Sequence, residues 1–316
     1  MTHYLITGGA GFIGSNLVHA LVDRGFRVTV LDNMSTGRLA NLDGVRSRIK
    51  LIEGSINDLG LLKEILKDVD VVLHQAALPS VPKSLERPLD THHENMTGTL
   101  TLFEGCRLAG VKRVVYASSS SAYGDHDAQV KVESLEGRPK SPYAVQKFGT
   151  ELYARVYHEL FQVETVGLRY FNVFGPRQDP QSQYAAVVPA FVTKMLAGES
   201  PTIYGTGEQS RDFTYIDNVI EANLKASSAP DVGGQVFNVG CGSSTSLLGL
   251  ITYLNQSLGK SITPSFDPPR QGDVLHSLAG IDKAREHLGY EPSITVQEGL
   301  LKTIEWYRLN DKTGTS

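Results

Sequence analysis

Tyr4-Leu5-Ile6-Thr7-Gly8-Gly9-Ala10-Gly11-Phe12-Ile13-Gly14 decides the fold of this 316-residue chain. Residues 4–7 read as a strand and 15–24 as an amphipathic helix. Between them stands Gly8-x-x-Gly11-x-x-Gly14. Glycines there permit a tight turn and let backbone approach a pyrophosphate, while the helix N-terminus offers unpaired N–H groups and partial positive charge. A bare glycine spacing is weak; its strand–loop–helix setting makes it a dinucleotide signal. Asp32 closes the next strand pattern, where an acid bonds the adenine ribose and repels a 2′-phosphate, so NAD is expected over NADP. Arg38 is the nearby residue that would favour the phosphate.

Outward from this stretch, short β-rich runs at 27–31, 49–53, 69–74, 113–117 and 165–170 alternate with helical patterns at 59–67, 100–109 and 144–160. The alternation predicts an α/β fold, a Rossmann-type doubly wound parallel sheet with helices on both faces. Ligands of such sheets sit beyond the carboxyl ends of the strands. The glycine loop, Asp32, the run from His74 to Ala77 and Ser118-Ser119-Ser120-Ser121 all fall there. After about Asn172 the chain turns rich in Gly and Pro. It is expected to form a smaller C-terminal α/β substrate lobe, 173–316, beside a dinucleotide domain, 1–172, with 213–240 returning to the latter. The polar tail after Trp306 is expected to fray.

Composition narrows the class. Hydrophobic residues make up 41% and charged residues 20%, as in a globular chain. The net charge is −4 with no basic block, which argues against a nucleic-acid partner. The first strand pattern begins at once, and no apolar run suits a membrane span, so neither leader nor anchor is expected. Cys106 and Cys241, far apart, make no disulfide framework, and a reducing cytoplasm is the expected location. No metal-ligating cluster stands out.

The chemistry-bearing part is Tyr143-Ala144-Val145-Gln146-Lys147, behind Pro142. Residues four apart share a helix face, so a phenol and an ammonium are presented together. The ammonium and a positive nicotinamide are both expected to pull the phenol's pKa down toward the working pH. Ser119 can share or relay the substrate proton. An isolated YxxxK is common on surface helices; the glycine loop, the serines and the pair in this order are not.

Together these residues resemble the extended short-chain dehydrogenase/reductase family, and within it the nucleotide-sugar 4-epimerases. The resemblance runs over nearly the whole chain. It rests on the glycine loop, Asp32, His74-Gln75-Ala76-Ala77, Asn95, Ser118-Ser119 with Tyr123-Gly124, Tyr143 with Lys147, Leu168-Arg169-Tyr170-Phe171-Asn172, Arg211-Asp212-Phe213, Phe237-Asn238-Val239-Gly240 and Arg270 with Gly272-Asp273. It implies bound NAD held by Gly8, Gly11, Phe12, Ile13, Gly14, Asp32, Asn33, Ser55, Ile56, Gln75, Ala76, Ala77, Asn95, Ala117, Tyr143, Lys147 and Tyr170. It implies catalysis by Ser119, Tyr143 and Lys147. UDP is implied at Asn172, Arg211 and Arg270, with Ala186, Val187, Tyr204 and Asp273 lining the same side. Ser80, Lys83, Ser119, Ser120, Ser121, Tyr143 and Gln178 are candidates for the sugar. A homodimer through helices 100–109 and 144–160 is also implied.

Dehydratases of the family carry Asp-Glu after the catalytic hydroxyl residue, and the decarboxylases also place an acid there. Ser120 and Ser121 stand there here, which leaves oxidation at carbon 4 and return of the hydride. The stretch Ser80-Val81-Pro82-Lys83-Ser84 and Ser277 are similar to the bacterial UDP-N-acetylglucosamine 4-epimerases. A large tyrosine gates the position of Ser277 in hexose-only enzymes; a serine admits a 2-acetamido group without rejecting the plain hexose. One departure is Gly54-Ser55, where the family has Gly-Asp against the adenine amino group; Asp58 is an alternative contributor. A uronate-sugar 4-epimerase, with Arg177 or Lys83 against the carboxylate, stays open. So, at lower weight, does a dehydratase or reductase. A non-catalytic NAD sensor is disfavoured because the Tyr/Lys pair is intact.

Overall fold

The structure, a computed structural model, describes residues 1–180, 186–269 and 276–310. The first half alternates as the sequence predicts. It runs β1 (His3–Thr7), α1 (Phe12–Asp23), β2 (Arg27–Asp32), β3 (Lys50–Glu53), α2 (Leu59–Ile65), β4 (Val71–His74), α3 (Val81–Glu86), α4 (Pro88–His92), α5 (Gly98–Ala109), β5 (Arg113–Ser119), β6 (Val130–Lys131), α6 (Pro142–Phe161) and β7 (Glu164–Tyr170). A π-turn over His93–Thr97 joins α4 to α5. The second half continues β8 (Val173–Phe174), α7 (Val187–Leu196), β9 (Thr202–Tyr204), β10 (Ser210–Arg211), β11 (Thr214–Tyr215), α8 (Ile216–Ser228), β12 (Gln235–Val239), β13 (Thr245–Ser246), α9 (Leu247–Leu258), β14 (Ser265–Asp267), β15 (His276–Ala279), α10 (Asp282–Leu288) and α11 (Val296–Asn310).

Seven parallel strands form the main sheet in the order β12-β7-β5-β4-β1-β2-β3. The order reverses between β1 and β4, and the cleft at such a switch point is where a ligand binds. Gln235–Val239 is the seventh strand, paired on β7. Leu17, Val18 and Leu21 of α1 pack with α8 in one buried cluster. Leu62 of α2, Leu102 and Phe103 of α5 and Tyr157 of α6 form a second with strand residues Val72 and Val114. The smaller sheet, β13-β10-β15-β6, draws one strand from the first half of the chain. The tail does not fray at Trp306: α11 continues to Asn310, and the Tyr307 hydroxyl donates to the Gln178 carbonyl. Alternating buried faces, with Val296, Leu300, Ile304 and Tyr307 inward, hold that turn down. Among the described residues no helix is long and apolar enough to cross a membrane.

Helix α6 is fixed at both levels. Ser141 caps it, its hydroxyl accepting from the Ala144 N–H at 3.2 Å, and Pro142 suits the first turn. Farther along, Glu151 accepts a two-pronged bond from Arg169 on β7, at 2.9 and 2.6 Å, and a 2.5 Å bond from the Ser118 hydroxyl on β5. Ser118 and Arg169 are register partners, so one carboxylate clasps a helix to two adjacent strands. Both charged side chains are about 5% exposed. Removing one partner of such a pair strands the other charge in low dielectric. Glu151→Ala should therefore lower stability by about 3–5 kcal/mol, read from denaturant midpoints. Glu151→Leu with Arg169→Met should recover most of that loss.

Candidate active site

The turn after β1 is built by close approach. Gly8 has φ +66°, and a Cβ there would lie 2.7 Å from the Ala76 backbone. A Cβ on Gly14 would lie 2.1 Å from the Gly8 carbonyl oxygen, so only glycine lets α1 start against the loop. Gly11 caps α1 without a side-chain bond and no acid occupies the first turn. The helix N-terminus therefore faces the cleft with its own dipole uncompensated.

A cavity of about 470 Å³ opens there. Its wall includes Gly8, Gly11, Phe12, Ile13, Gly14, Asp32, Asn33, Ile56, Gln75, Ala76, Ala77, Ala117, Tyr143 and Tyr170, fourteen of the residues expected around the dinucleotide. The Asp32 carboxylate accepts the Ala10 and Met34 N–H groups, each at 2.9 Å, one on each oxygen. That orients it while leaving lone pairs for ribose hydroxyls. No lysine or arginine is among the described wall residues. Arg38 instead pairs with Asp179 at 2.6 Å. The cradle thus fits a dinucleotide without a 2′-phosphate.

Other expected contacts act from behind the wall. Asn95 is buried and braces Leu78, accepting its N–H at 2.7 Å and donating to its carbonyl at 3.2 Å. Ser55 accepts from the Asn57 N–H at 3.1 Å. Asp58 is used as the cap of α2, accepting from Leu61 at 3.0 Å. His74 bonds Thr7 at 2.7 Å and Thr99 at 2.9 Å, and burial pushes its pKa down to about 3, so it is neutral.

At the chemical end, β5 delivers Ser119 and α6 delivers Tyr143 and Lys147. The Tyr143 N–H donates to Ser84 of α3 at 3.1 Å. Lys147 donates to the Ala117 carbonyl at 2.8 Å, its ammonium 6.0 Å from the Tyr143 ring centre. Burial lowers the Lys147 pKa to about 8, with Glu151 opposing. Burial raises that of Tyr143 to about 12, with Ser119 opposing. Without a nicotinamide, desolvation outweighs the hydroxyl's help and the protein's own groups favour the neutral phenol. The positive charge of an oxidised nicotinamide, when bound nearby, would pull the other way.

The 3₁₀ turn Ser120–Tyr123 follows Ser119, and Ser119, Ser120 and Ser121 all reach the wall. Gln178 reaches it too. Its amide nitrogen donates to the Val173 carbonyl at 3.2 Å, which fixes its orientation, and its amide oxygen is buried without a partner. Ser80 is spent as the cap of α3, accepting from the Lys83 N–H at 3.1 Å; neither Ser80 nor Lys83 is on the wall. Arg177 turns to Asn16 on α1 at 2.7 Å.

A second cavity of about 330 Å³ adjoins the first, sharing Asn172, Val173 and Ala186, and includes Val187, Tyr204 and Arg211. Ser277 pairs in register with Arg211 across β15 and β10, and its carbonyl accepts the Asp212 N–H at 2.8 Å. Burial raises the Asp212 pKa to about 6, although Cys241, Gly242 and Ala279 all donate backbone N–H groups to it. Ser277 itself is on neither wall. Arg270 and Asp273 lie outside the described residues. Sequence reading missed Glu151, although it stands four residues after Lys147 on the same helix face. It also missed the wall carboxylate Glu94, for which no spacing gave a signal, and named Ser84 only within a resembling stretch, without its bond to Tyr143.

Comparison with known proteins agrees with this geometry. The signature described as "NAD dependent epimerase/dehydratase family" matches residues 4–240. The UDP-glucose 4-epimerase of Mycolicibacterium smegmatis is 39% identical over 310 residues, covering 96% of this chain and 98% of that one. The UDP-N-acetylglucosamine 4-epimerase of Methanobrevibacter ruminantium, solved with UDP-N-acetylmuramic acid, superposes with a TM-score of 0.94 at 40% identity, covering 98% of each chain. The UDP-glucuronic acid 4-epimerase of Bacillus cereus, solved with UDP-glucuronic acid and NAD, gives 0.89 at 33% identity over 98% of this chain and 99% of that one. The chain belongs to the NAD dependent epimerase/dehydratase family, in its nucleotide-sugar 4-epimerase branch, and uses NAD.

Proposed function

We propose that this enzyme interconverts UDP-GlcNAc with UDP-GalNAc, and UDP-glucose with UDP-galactose, in the cytoplasm. The observation that carries a neutral sugar is the composition of the main cavity wall. The described residues of that wall include the hydroxyls of Ser119, Ser120 and Ser121 and no lysine or arginine. A uronate carboxylate would have to rely on hydroxyl donors alone there, with no cation among those residues to balance its charge. Arg177, one suggested carboxylate partner, is committed to Asn16. We assign residues 1–172 with 213–240 to NAD and 173–316 to the UDP-sugar.

In this reading NAD supplies a hydride acceptor at carbon 4 and later returns the same hydride. Tyr143, as phenolate, takes the proton of the 4-hydroxyl, and Lys147 stabilises the charge. Ser119 donates to the oxygen that bears it. The 4-keto sugar turns about its link to the diphosphate, presents its other face, and Tyr143 gives the proton back. Arg211 and Asn172 hold the nucleotide meanwhile, Arg as a charge-assisted donor to phosphate. Ser120, whose hydroxyl has no protein partner among the described residues, is left for the sugar.

A homodimer is part of this proposal. Val145, Leu152, Val156 and Leu160 make an exposed apolar stripe along α6, continued by Leu108 on α5. A stripe of that length on a soluble helix calls for a partner. Light scattering on the purified protein should give twice the 34.4 kDa chain mass; a monomer at micromolar concentration would refute it.

Tyr143→Phe should cut kcat by about 10²–10⁴-fold, the usual contribution of a positioned acid–base group, while bound NAD is retained. Surviving turnover would remove Tyr143 from its role. Purified protein incubated without added NAD should convert UDP-GlcNAc and UDP-glucose, followed by proton NMR, and should leave UDP-glucuronate unchanged. Ser277→Tyr should depress the N-acetylated pair about 10–200-fold relative to the plain pair, as a pocket mismatch of this size does. Equal loss on both would dismiss the size gate.

A further inference from the structure

Ser121 is set apart from its neighbours by where its polar atoms go. Its backbone N–H donates to Ser119 Oγ at 3.1 Å and its hydroxyl donates to the same oxygen at 2.9 Å. A serine hydroxyl has two acceptor lone pairs and one proton. Both acceptor positions of Ser119 are therefore filled by one residue. The turn that imposes this is rigid: the Arg138 N–H donates to the Ala122 carbonyl at 3.1 Å. A Cβ on Gly124, at φ +60°, would lie 1.7 Å from the Arg138 carbonyl oxygen, so only glycine fits where the turn packs on residue 138.

We propose that Ser121 is a positioning residue that fixes the hydrogen-bond polarity of Ser119. With its acceptor sites occupied, Ser119 can only donate, and it donates to whichever oxygen carries charge: the Tyr143 phenolate first, then oxygen 4 of the substrate. A free serine would accept the phenol proton as readily as it gives its own, and would then favour the neutral tyrosine. Ser121 removes that alternative. No bond is made or broken by Ser121 itself. The proton that moves is the one passed between the sugar hydroxyl and Tyr143, with Ser119 as donor on either side. Ser120, which shares the wall but not these bonds, takes the sugar. The inference rests on Tyr143 being the base.

The titratable groups on elements packed around the start of α6 are Lys83 and Glu86 on α3, Asp90 and His92 on α4, His93 and Glu94 on the π-turn, Tyr123 on the serine turn, Tyr116 on β5, and Arg169 and Tyr170 on β7, with neutral His74 on β4 behind them. Lys147 and Glu151 lie on α6 itself. Ser121→Ala alters none of them. The sign follows: once Ser119 regains a lone pair it accepts from the phenol, the neutral form gains, and the Tyr143 pKa rises. The ascending limb of kcat against pH, which requires phenolate, should move to higher pH by about 0.5–1 unit, the worth of one hydrogen bond. Below that limb kcat should fall about 3–10-fold with KM for the UDP-sugar unchanged.

The experiment is a pH–rate profile of the NAD-loaded enzyme for wild type, Ser121→Ala, Ser121→Thr and Ser121→Cys. Threonine should restore the limb, and cysteine, a weak donor, should fall between. A limb that stays in place while KM rises would make Ser121 a sugar contact and overturn the proposal. A uniform loss at every pH with lowered thermal stability would overturn it equally. If Ser121→Ala fails to fold, the threonine and cysteine profiles decide alone, and identical limbs would refute it. Tyr143→Phe run alongside separates the two readings: activity there removes the base, whereas a dead Tyr143→Phe with an unmoved Ser121→Ala limb removes only this inference.

Discussion

One buried carboxylate sets the geometry on which the active site depends. Glu151 joins α6 to β5 through Ser118 and to β7 through Arg169, one helical turn beyond Lys147. The Ser119 hydroxyl comes from the strand end and the phenol from the helix start, so their separation is only as well defined as the helix-on-strand docking. Apolar packing alone fixes such docking loosely, since it is non-directional. The carboxylate supplies direction. The Lys147 bond to the Ala117 carbonyl and the Ser84 bond to the Tyr143 N–H add constraints at the same end. Three cross-links within two helical turns leave the pair little freedom to drift.

The same arrangement explains how a buried ammonium is tolerated. Desolvation alone would drive Lys147 further toward neutrality, and Glu151 holds it back. Arg169, the neighbour most able to undo this, is itself engaged by Glu151 and stacked 4.5 Å from the Tyr123 ring centre. His74, close enough to feel Lys147, stays neutral between two threonine hydroxyls. The site therefore holds one buried, hydrogen-bonded ammonium beside the phenol. A second positive charge, on oxidised nicotinamide bound here, would favour the phenolate further, and reduction would remove that help, so acid–base state would follow redox state.

Much of this was legible in the chain. The glycine loop, Asp32, the serines and the Tyr/Lys pair are local patterns, each carried by a strand or helix whose period was readable, and the parallel sheet follows from their alternation. Less was legible where partners are distant in sequence. Nothing near Asn95 announces that its amide braces Leu78, and nothing near Ser55 announces that its hydroxyl closes a turn on Asn57. Side chains expected against ligand were taken by the backbone, because buried N–H and C=O groups must be paired first. The burial of Tyr143 was illegible for a related reason. Sequence spacing displays the neighbouring charge but not the desolvation, which depends on everything packed around the ring. Helix α11 likewise outran its expected end because Tyr307 has a distant anchor at Gln178.

The serine run is what separates this site from the eliminating branches of its family. Loss of water from carbons 5 and 6 needs an acid and a base next to the catalytic hydroxyl, and Ser120 and Ser121 supply neither at neutral pH. Glu94 puts a carboxylate on the cavity wall, but it comes from the π-turn between α4 and α5 rather than from the turn that holds Ser119. Replacing two carboxyl groups by hydroxyls also changes what the wall does to charge. Two carboxylates there would oppose formation of the phenolate, whereas two hydroxyls add no negative charge beside it. The residues that deny the enzyme elimination are thus the same ones that spare the tyrosine a neighbouring negative charge, and reversible transfer at carbon 4 is the chemistry left to a wall so composed.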